Sequence, residues 1–167
     1  MSTNPARRPA GTPTGGQFAP EAHAEPEVAL GNRPPEPEST PVTDGDGDTL
    51  WRTADGQLHR TDGPAIERTD GSRRWYVHGQ RHRTDGPAVE LADGTRQWWV
   101  NGHLHRTDGP AVEWANGTRE WYLHGRRHRE DGPAIEEASG YRAWFVDGRR
   151  LTEEEFHSRF PESAQDG

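Results

Sequence analysis

The sequence predicts an all-β protein: an elongated, single-layer antiparallel β-meander of tandem 23-residue repeats, with a short C-terminal capping helix and a disordered N-terminus. Three observations carry this. Four units follow one another without insertion or deletion, at 59–81, 82–104, 105–127 and 128–150, and eleven of the 23 positions hold the same residue in all four. A fixed short period marks an architecture in which each unit packs on its neighbours. Turn residues recur at set places in every unit, between short runs of β-branched and aromatic residues. Apolar content is only 28%, yet seven residues are Trp, a supply too thin for a deep globular core and concentrated in large rings.

Residues 1–48 hold nine of the fourteen prolines and no Trp or Tyr. Such a segment cannot bury enough apolar surface to offset its ordering entropy and reads as a disordered Pro/Gly/acidic tail. Within it, Arg8-Pro-Ala-Gly-Thr-Pro-Thr-Gly-Gly-Gln-Phe-Ala19 is similar to a short N-terminal tag found on proteins of high-GC bacteria and their phages. Asp44-Gly-Asp46-Gly-Asp48 has the acidic spacing that opens a calcium loop. It lacks that loop's Gly at position six and Glu at position twelve, so it reads as acidic linker. The repeat domain spans 49–151 and begins with a degenerate half-unit at 49–58, where Asp55-Gly56 lies 23 residues before His78-Gly79.

Each unit carries three turn signals. Asp70-Gly71, Asp93-Gly94, Asn116-Gly117 and Ser139-Gly140 are of the type that makes two-residue type I′ hairpins. His78-Gly79, Asn101-Gly102, His124-Gly125 and Asp147-Gly148 place the side chains that best tolerate positive φ before Gly. Asp-Gly-Pro at 62, 85, 108 and 131 breaks a strand, because Pro cannot donate to a ladder. With two-residue turns, Glu67 faces Arg74, Ile66 faces Trp75, and Tyr76 faces Arg81. That register puts Ile66, Trp75, Val77 and His82, with their equivalents, on a core face. The other face carries an aromatic stripe, Tyr76, Trp99, Tyr122 and Phe145, flanked by Glu67, Glu90, Glu113 and Glu136 and by Arg60, Arg83, Arg106 and Arg129. After Leu151, Thr152-Glu153-Glu154-Glu155 fits a capping box with Phe156 and Phe160 four apart, so 152–160 is a capping helix that covers the last strand edge. Residues 161–167 form a second disordered tail.

The paired Gly turns and aromatic strands, as in Asn116-Gly-Thr-Arg-Glu-Trp-Tyr-Leu-His-Gly-Arg-Arg-His128, resemble the MORN repeat family, and more closely its bacterial variants. The resemblance covers residues 51–150 and departs from the standard repeat in the His-Arg-x-Asp-Gly-Pro-Ala block. That block also looks like repeat proteins of phages and bacteria. The MORN resemblance implies a β-meander used for binding or scaffolding, antitoxin-like in some bacterial variants, and brings no catalytic residue.

Composition narrows the function. A net charge of −8 opposes an electrostatic phosphate-backbone binder, so nucleic acid is not the expected partner. There is no Cys, hence no thiolate chemistry. No apolar run is long enough to insert in a membrane, and the N-terminus has no apolar signal region, so a soluble, cytoplasmic protein is expected. All 20 basic residues are Arg, which reflects either codon usage or a need for bidentate ion pairing. His59, His82, His105 and His128 recur with Asp62, Asp85, Asp108 and Asp131. Successive copies lie about 9–10 Å apart, too far to share one ion. The His are therefore expected to form a structural ladder with Trp75, Trp98, Trp121 and Trp144. No catalytic, metal or cofactor site is expected. Tyr76, Trp99, Tyr122 and Phe145, with Arg83, Arg106, Arg129, Glu90 and Glu113, are the candidate binding residues for another protein or peptide, because aromatic and Arg side chains dominate such interfaces. Equally, the aromatics would only stack on one another across strands. The expected function is a non-enzymatic protein-interaction or scaffold module. The alternatives are a structural or surface repeat without a fixed ligand and, distantly, a hydrolase.

Overall fold

The computed structural model describes residues 36–161. The disorder expected of residues 1–35, the N-terminal tag and the tail beyond 161 lie outside the described residues. Two five-residue strands come first, β1 (Ser39–Thr43) and β2 (Thr49–Thr53). Each of the next three units adds four short strands: β3 (Ile66–Glu67), β4 (Arg73–Arg74), β5 (Tyr76–Val77) and β6 (Gln80–Arg81); β7 (Val89–Glu90), β8 (Arg96–Gln97), β9 (Trp99–Val100) and β10 (His103–Leu104); β11 (Val112–Glu113), β12 (Arg119–Glu120), β13 (Tyr122–Leu123) and β14 (Arg126–Arg127). The fourth unit has β15 (Ile135–Glu136), β16 (Arg142–Val146) and β17 (Arg149–Leu151), followed by α1 (Glu153–Arg159).

These make one antiparallel meander of eleven strands, β1-β2-β3-β4-β7-β8-β11-β12-β15-β16-β17, plus three separate hairpins, β5-β6, β9-β10 and β13-β14. The invariant Trp is the pivot between them. The Trp75 N–H donates to the Ala88 carbonyl at 2.8 Å, on the long sheet, while its carbonyl accepts from the His82 N–H at 3.2 Å, in the hairpin. Trp98 and Trp121 do the same with Ala111 and His105, and with Ala134 and His128. Successive hairpins are joined in turn, for example by Gly102 N–H to the Arg81 carbonyl at 3.0 Å. The β-meander is thus two rows of backbone pairing that share the same strands. Ala65, Ala88, Ala111 and Ala134, at 0% exposure, sit where the rows meet.

The first turn of each unit differs from expectation. The Arg68 N–H donates to the Ser72 carbonyl at 2.9 Å and the Gly71 N–H to the Arg68 carbonyl at 3.0 Å, which closes a three-residue loop with Gly71 at φ 89. This is a type I turn with a Gly bulge, not the two-residue I′ turn. Asp70 keeps negative φ because its carboxylate accepts from the Ser72 N–H at 2.7 Å, a local bond that favours Asp or Asn there. The second turn is as expected, with positive φ at both His78 (50) and Gly79 (73).

The extra residue shifts the register by one. Ile66 pairs with Arg74 and Glu67 with Arg73, and a one-residue slip flips a strand's side chains to the other face. Ile66, Val89, Val112 and Ile135 therefore share a face with Tyr76 and Trp99, not with the invariant Trp residues. On the opposite face, Glu67, Arg73, Glu90, Arg96, Glu113, Arg119, Glu136 and Arg142 pair in register, giving a row of alternating charge across the sheet.

The domain boundary also moves. Strand β1 lies inside the segment read as tail, and the Asp44–Asp48 segment is a hairpin turn of the same three-residue kind. The Asp44 carboxylate accepts from the N–H groups of Asp46 and Asp48, each at 3.0 Å, so the acidic spacing serves the turn. At the other end α1 forms with its capping box, Thr152 and Glu155 bonding reciprocally. Phe156 closes a buried cluster with Val146 and Leu151, against which Trp144 and Phe160 pack. Among the described residues no helix is long and apolar enough to cross a membrane.

Candidate binding surfaces and the histidine ladder

The His-Arg-x-Asp-Gly-Pro-Ala block is a clasp that ties each unit to the one before. Arg106 stacks its guanidinium 4.0 Å from the centre of the Trp98 ring. Its Nε donates to Asp108 at 2.9 Å, and its Nη1 donates to the Pro110 carbonyl at 3.2 Å and to Glu113 at 3.5 Å. Gly109 is needed for space, since a Cβ there would lie 3.0 Å from the Arg106 Cζ. Arg60, Arg83 and Arg129 repeat the arrangement over Trp51, Trp75 and Trp121. Only Arg presents a planar cation with enough donors for all of this. Its bond to Arg holds the Asp108 carboxyl below the usual range, and the same is true of Asp62 and Asp85.

Arg83, Arg106 and Arg129, with Glu90 and Glu113, thus sit on the Trp face. They do not flank the aromatic stripe, as the two-residue turn had implied. The stripe itself is half-buried, and among the described residues no ring–ring contact joins its members. Guanidiniums stand between the rings instead. Arg81 lies 6.0 Å from Tyr76 and 4.9 Å from Trp99, and Arg127 lies 5.7 Å from Tyr122 and 5.5 Å from Phe145. The sequence reading also missed a network in the third unit. Burial would raise the Glu120 carboxyl, but donors from Trp114 (2.9 Å), Tyr122 (2.9 Å) and Arg127 (3.0 Å) outweigh it and hold it down. This fixes Trp114, an indole 41% exposed at the turn edge. The available signal was departure from the repeat: Trp114 stands where other units have Arg68, Leu91 and Glu137.

Each ladder His uses Nδ1 to accept the backbone N–H of the turn residue nineteen positions on. The distances are 3.0 Å for His59 with His78, 3.2 Å for His82 with Asn101, 3.2 Å for His105 with His124 and 3.1 Å for His128 with Asp147. At His59 and His105, where no side-chain oxygen competes for Nδ1, that bond places the proton of the neutral ring on Nε2. It also decides the one convergence of possible metal ligands among the described residues, Glu36, His59 and His78, whose atoms lie within 4.8 Å of one another. A His that binds metal through Nε2 donates its Nδ1–H to an acceptor. The Nδ1 of His59 faces a donor, so this geometry suits a fold contact and not a metal ligand.

The ladder alternates in what a protonated ring would meet. His82 and His128 have side-chain oxygens within reach of Nδ1, Asn101 at 2.9 Å and Asp147 at 3.0 Å. His59 and His105 meet a second imidazole, with ring centres 4.7 and 4.4 Å apart. Burial, then the neighbouring His78 or His124, pushes the His59 and His105 rings below the usual value. The unfolded chain therefore binds protons that the folded chain refuses, and stability falls as pH drops below about 6.5. Thermal midpoints measured at pH 7.5 and 5.5 should differ. His124→Asp, which copies the fourth unit, should reduce the difference. An unchanged pH dependence in that variant would sink this account.

The chain matches no family model and no curated protein.

Proposed function

We propose that the chain is a non-enzymatic protein-interaction module, a repeat array of the kind its MORN resemblance implies. The observation that carries this reading is how the invariant side chains are used. His, Arg, Asp and Glu of every unit are engaged in the Nδ1 bond and the Arg clasp, so the groups suited to chemistry serve the fold. What the array presents outward is periodic surface, with half-buried rings and intervening guanidiniums, of the composition that anchors protein interfaces. The same observation also favours a structural repeat without a fixed ligand, and one experiment separates the two. A photo-cross-linking residue in place of Arg81 should capture one host protein reproducibly, and the same residue in place of Glu154 on α1 should not. Equal capture at both positions, or none at either, would leave the structural reading.

A further inference from the structure

Resting on that reading, we propose that the pair formed by His105 and His124 binds a glutamate side chain from a partner's Glu-Pro segment. The first step of the same ladder already holds such a side chain. The His59 and His78 rings, with centres 4.7 Å apart, receive Glu36 from the segment that leads into β1. Its Oε2, a buried oxygen, lies 3.4 Å from the His78 Nε2 and 4.0 Å from the His59 Nε2. The ladder bond prepares the ring for this contact. His59 Nδ1 accepts the His78 N–H, so its Nε2 carries the proton and faces the carboxylate as a donor. The segment also covers the ring: His59 is 2% exposed, whereas His82, His105 and His128 are half-buried.

Among the ladder steps only that of His105 repeats the imidazole pair. The His105 and His124 rings stand 4.4 Å apart and are tilted by 42°, against 51° in the first pair. His105 Nδ1 accepts the His124 N–H at 3.2 Å, which leaves the same Nε2–H as a donor. Elsewhere Asn101 or Asp147 replaces the second imidazole, and Asp147 would repel a carboxylate. Two units, or four strands of the long sheet, separate the two pairs, about 19 Å, so Glu36 cannot serve both. The charged groups acting on the His59 ring are His78 and Glu36, but on the His105 ring His124 alone. The described residues thus offer the second pair no acid.

Its surroundings favour an anion more than those of the occupied pair. At the first turn Gln57 packs against Gly79 and Gln80 follows it. At the third, His103 packs against Gly125 and Arg126 follows it. Arg126 makes no ion pair among the described residues. Asp147, in the next turn, is engaged by the His128 Nδ1 at 3.0 Å. A carboxylate entering between the rings therefore meets two imidazoles beside a guanidinium, a donor that makes charge-assisted bonds. Strands β11 and β12 are paired on both sides, so a ligand cannot add a strand here as β1 does. Recognition falls on the side chain and on a backbone that needs few partners. Glu36 is followed by Pro37, which has no N–H to satisfy and stiffens the segment.

Fluorescence anisotropy with the full chain tests this, using labelled Pro-Pro-Glu-Pro-Glu-Ser-Thr, the sequence of residues 34–40, as the probe. The comparator is Pro-Pro-Gln-Pro-Gln-Ser-Thr. The expected result is binding of the first at least tenfold tighter than of the second. His124→Asn should weaken it at least fivefold, and so should Arg126→Gln. The Asn variant copies the second unit, where Asn101 keeps the positive-φ turn and the bond to the ladder His, and an unchanged melting curve verifies the fold. His78→Asn, at the first pair, should leave the affinity within twofold. Equal affinity for the two peptides, or an unaffected His124→Asn, overturns the proposal. So does failure of the Glu peptide to bind. Loss of binding in His78→Asn but not in His124→Asn would mean exchange with Glu36 at the first pair, and overturns it too. If cross-linking at Arg81 still captures a partner in those cases, the interaction-module reading survives and only the ligand and site assigned here fall.

Discussion

Phe156→Ala will destabilise the C-terminal end of the array by about 3–5 kcal/mol, the cost of removing a large ring from a closed site. Phe156 is 3% exposed and lies against Val146 and Leu151, with ring centres 6.5 Å from Trp144 and 5.2 Å from Phe160. Chain connectivity allows little relaxation, because the capping box fixes α1 at its start. In a linear array the loss should stay close to the lesion. Hydrogen exchange should therefore show protection lost over 142–160 and largely kept over 66–100. Denaturant unfolding of the variant gives the magnitude, and a change under 1 kcal/mol would show that the helix decorates the last strand without anchoring it.

Arg106→Ala should cost about 2–4 kcal/mol, from bonds to charged groups and the loss of a guanidinium lying on an indole. The lost contacts are those to Asp108, the Pro110 carbonyl, Glu113 and Trp98. Arg106→Lys should recover less than half. A single ammonium cannot lie flat on Trp98 while donating to three acceptors. Full rescue by Lys would mean that charge alone matters and that the exclusive use of Arg reflects codon usage. Because the contact crosses from the third unit to the second, the variant should also broaden the unfolding transition as the two halves uncouple.

The pattern of what could be read from the chain follows from the range of the forces involved. The repeat period, the all-β class and the capping helix rest on local signals: turn residues, alternation, a capping box. The one-unit spacing of the ladder His was also legible. The partners of each His were not, because Nδ1 meets a turn nineteen residues away. The extent of the domain was misread for a related reason. Ser39–Thr43 is polar and proline-containing, and it becomes a strand only because β2 offers it an edge. Among the outward atoms of that edge is the ring nitrogen of Pro41, which cannot donate and so discourages further pairing.

The sequence by itself determined that four equivalent units exist, where their turns fall, and that the invariant side chains serve every unit alike. Only the tertiary structure decided the faces. The Gly bulge at Gly71 and its equivalents adds one residue to each loop, and side chains alternate with period two. One residue therefore moved Ile66, Val89, Val112 and Ile135 to the side of the aromatic stripe. The same shift left the invariant Trp residues to the Arg clasp. A turn type depends on local φ and ψ preferences and on side-chain bonds such as that of the Ser72 N–H to Asp70. Composition could not weigh those bonds, and the whole sheet amplifies their outcome.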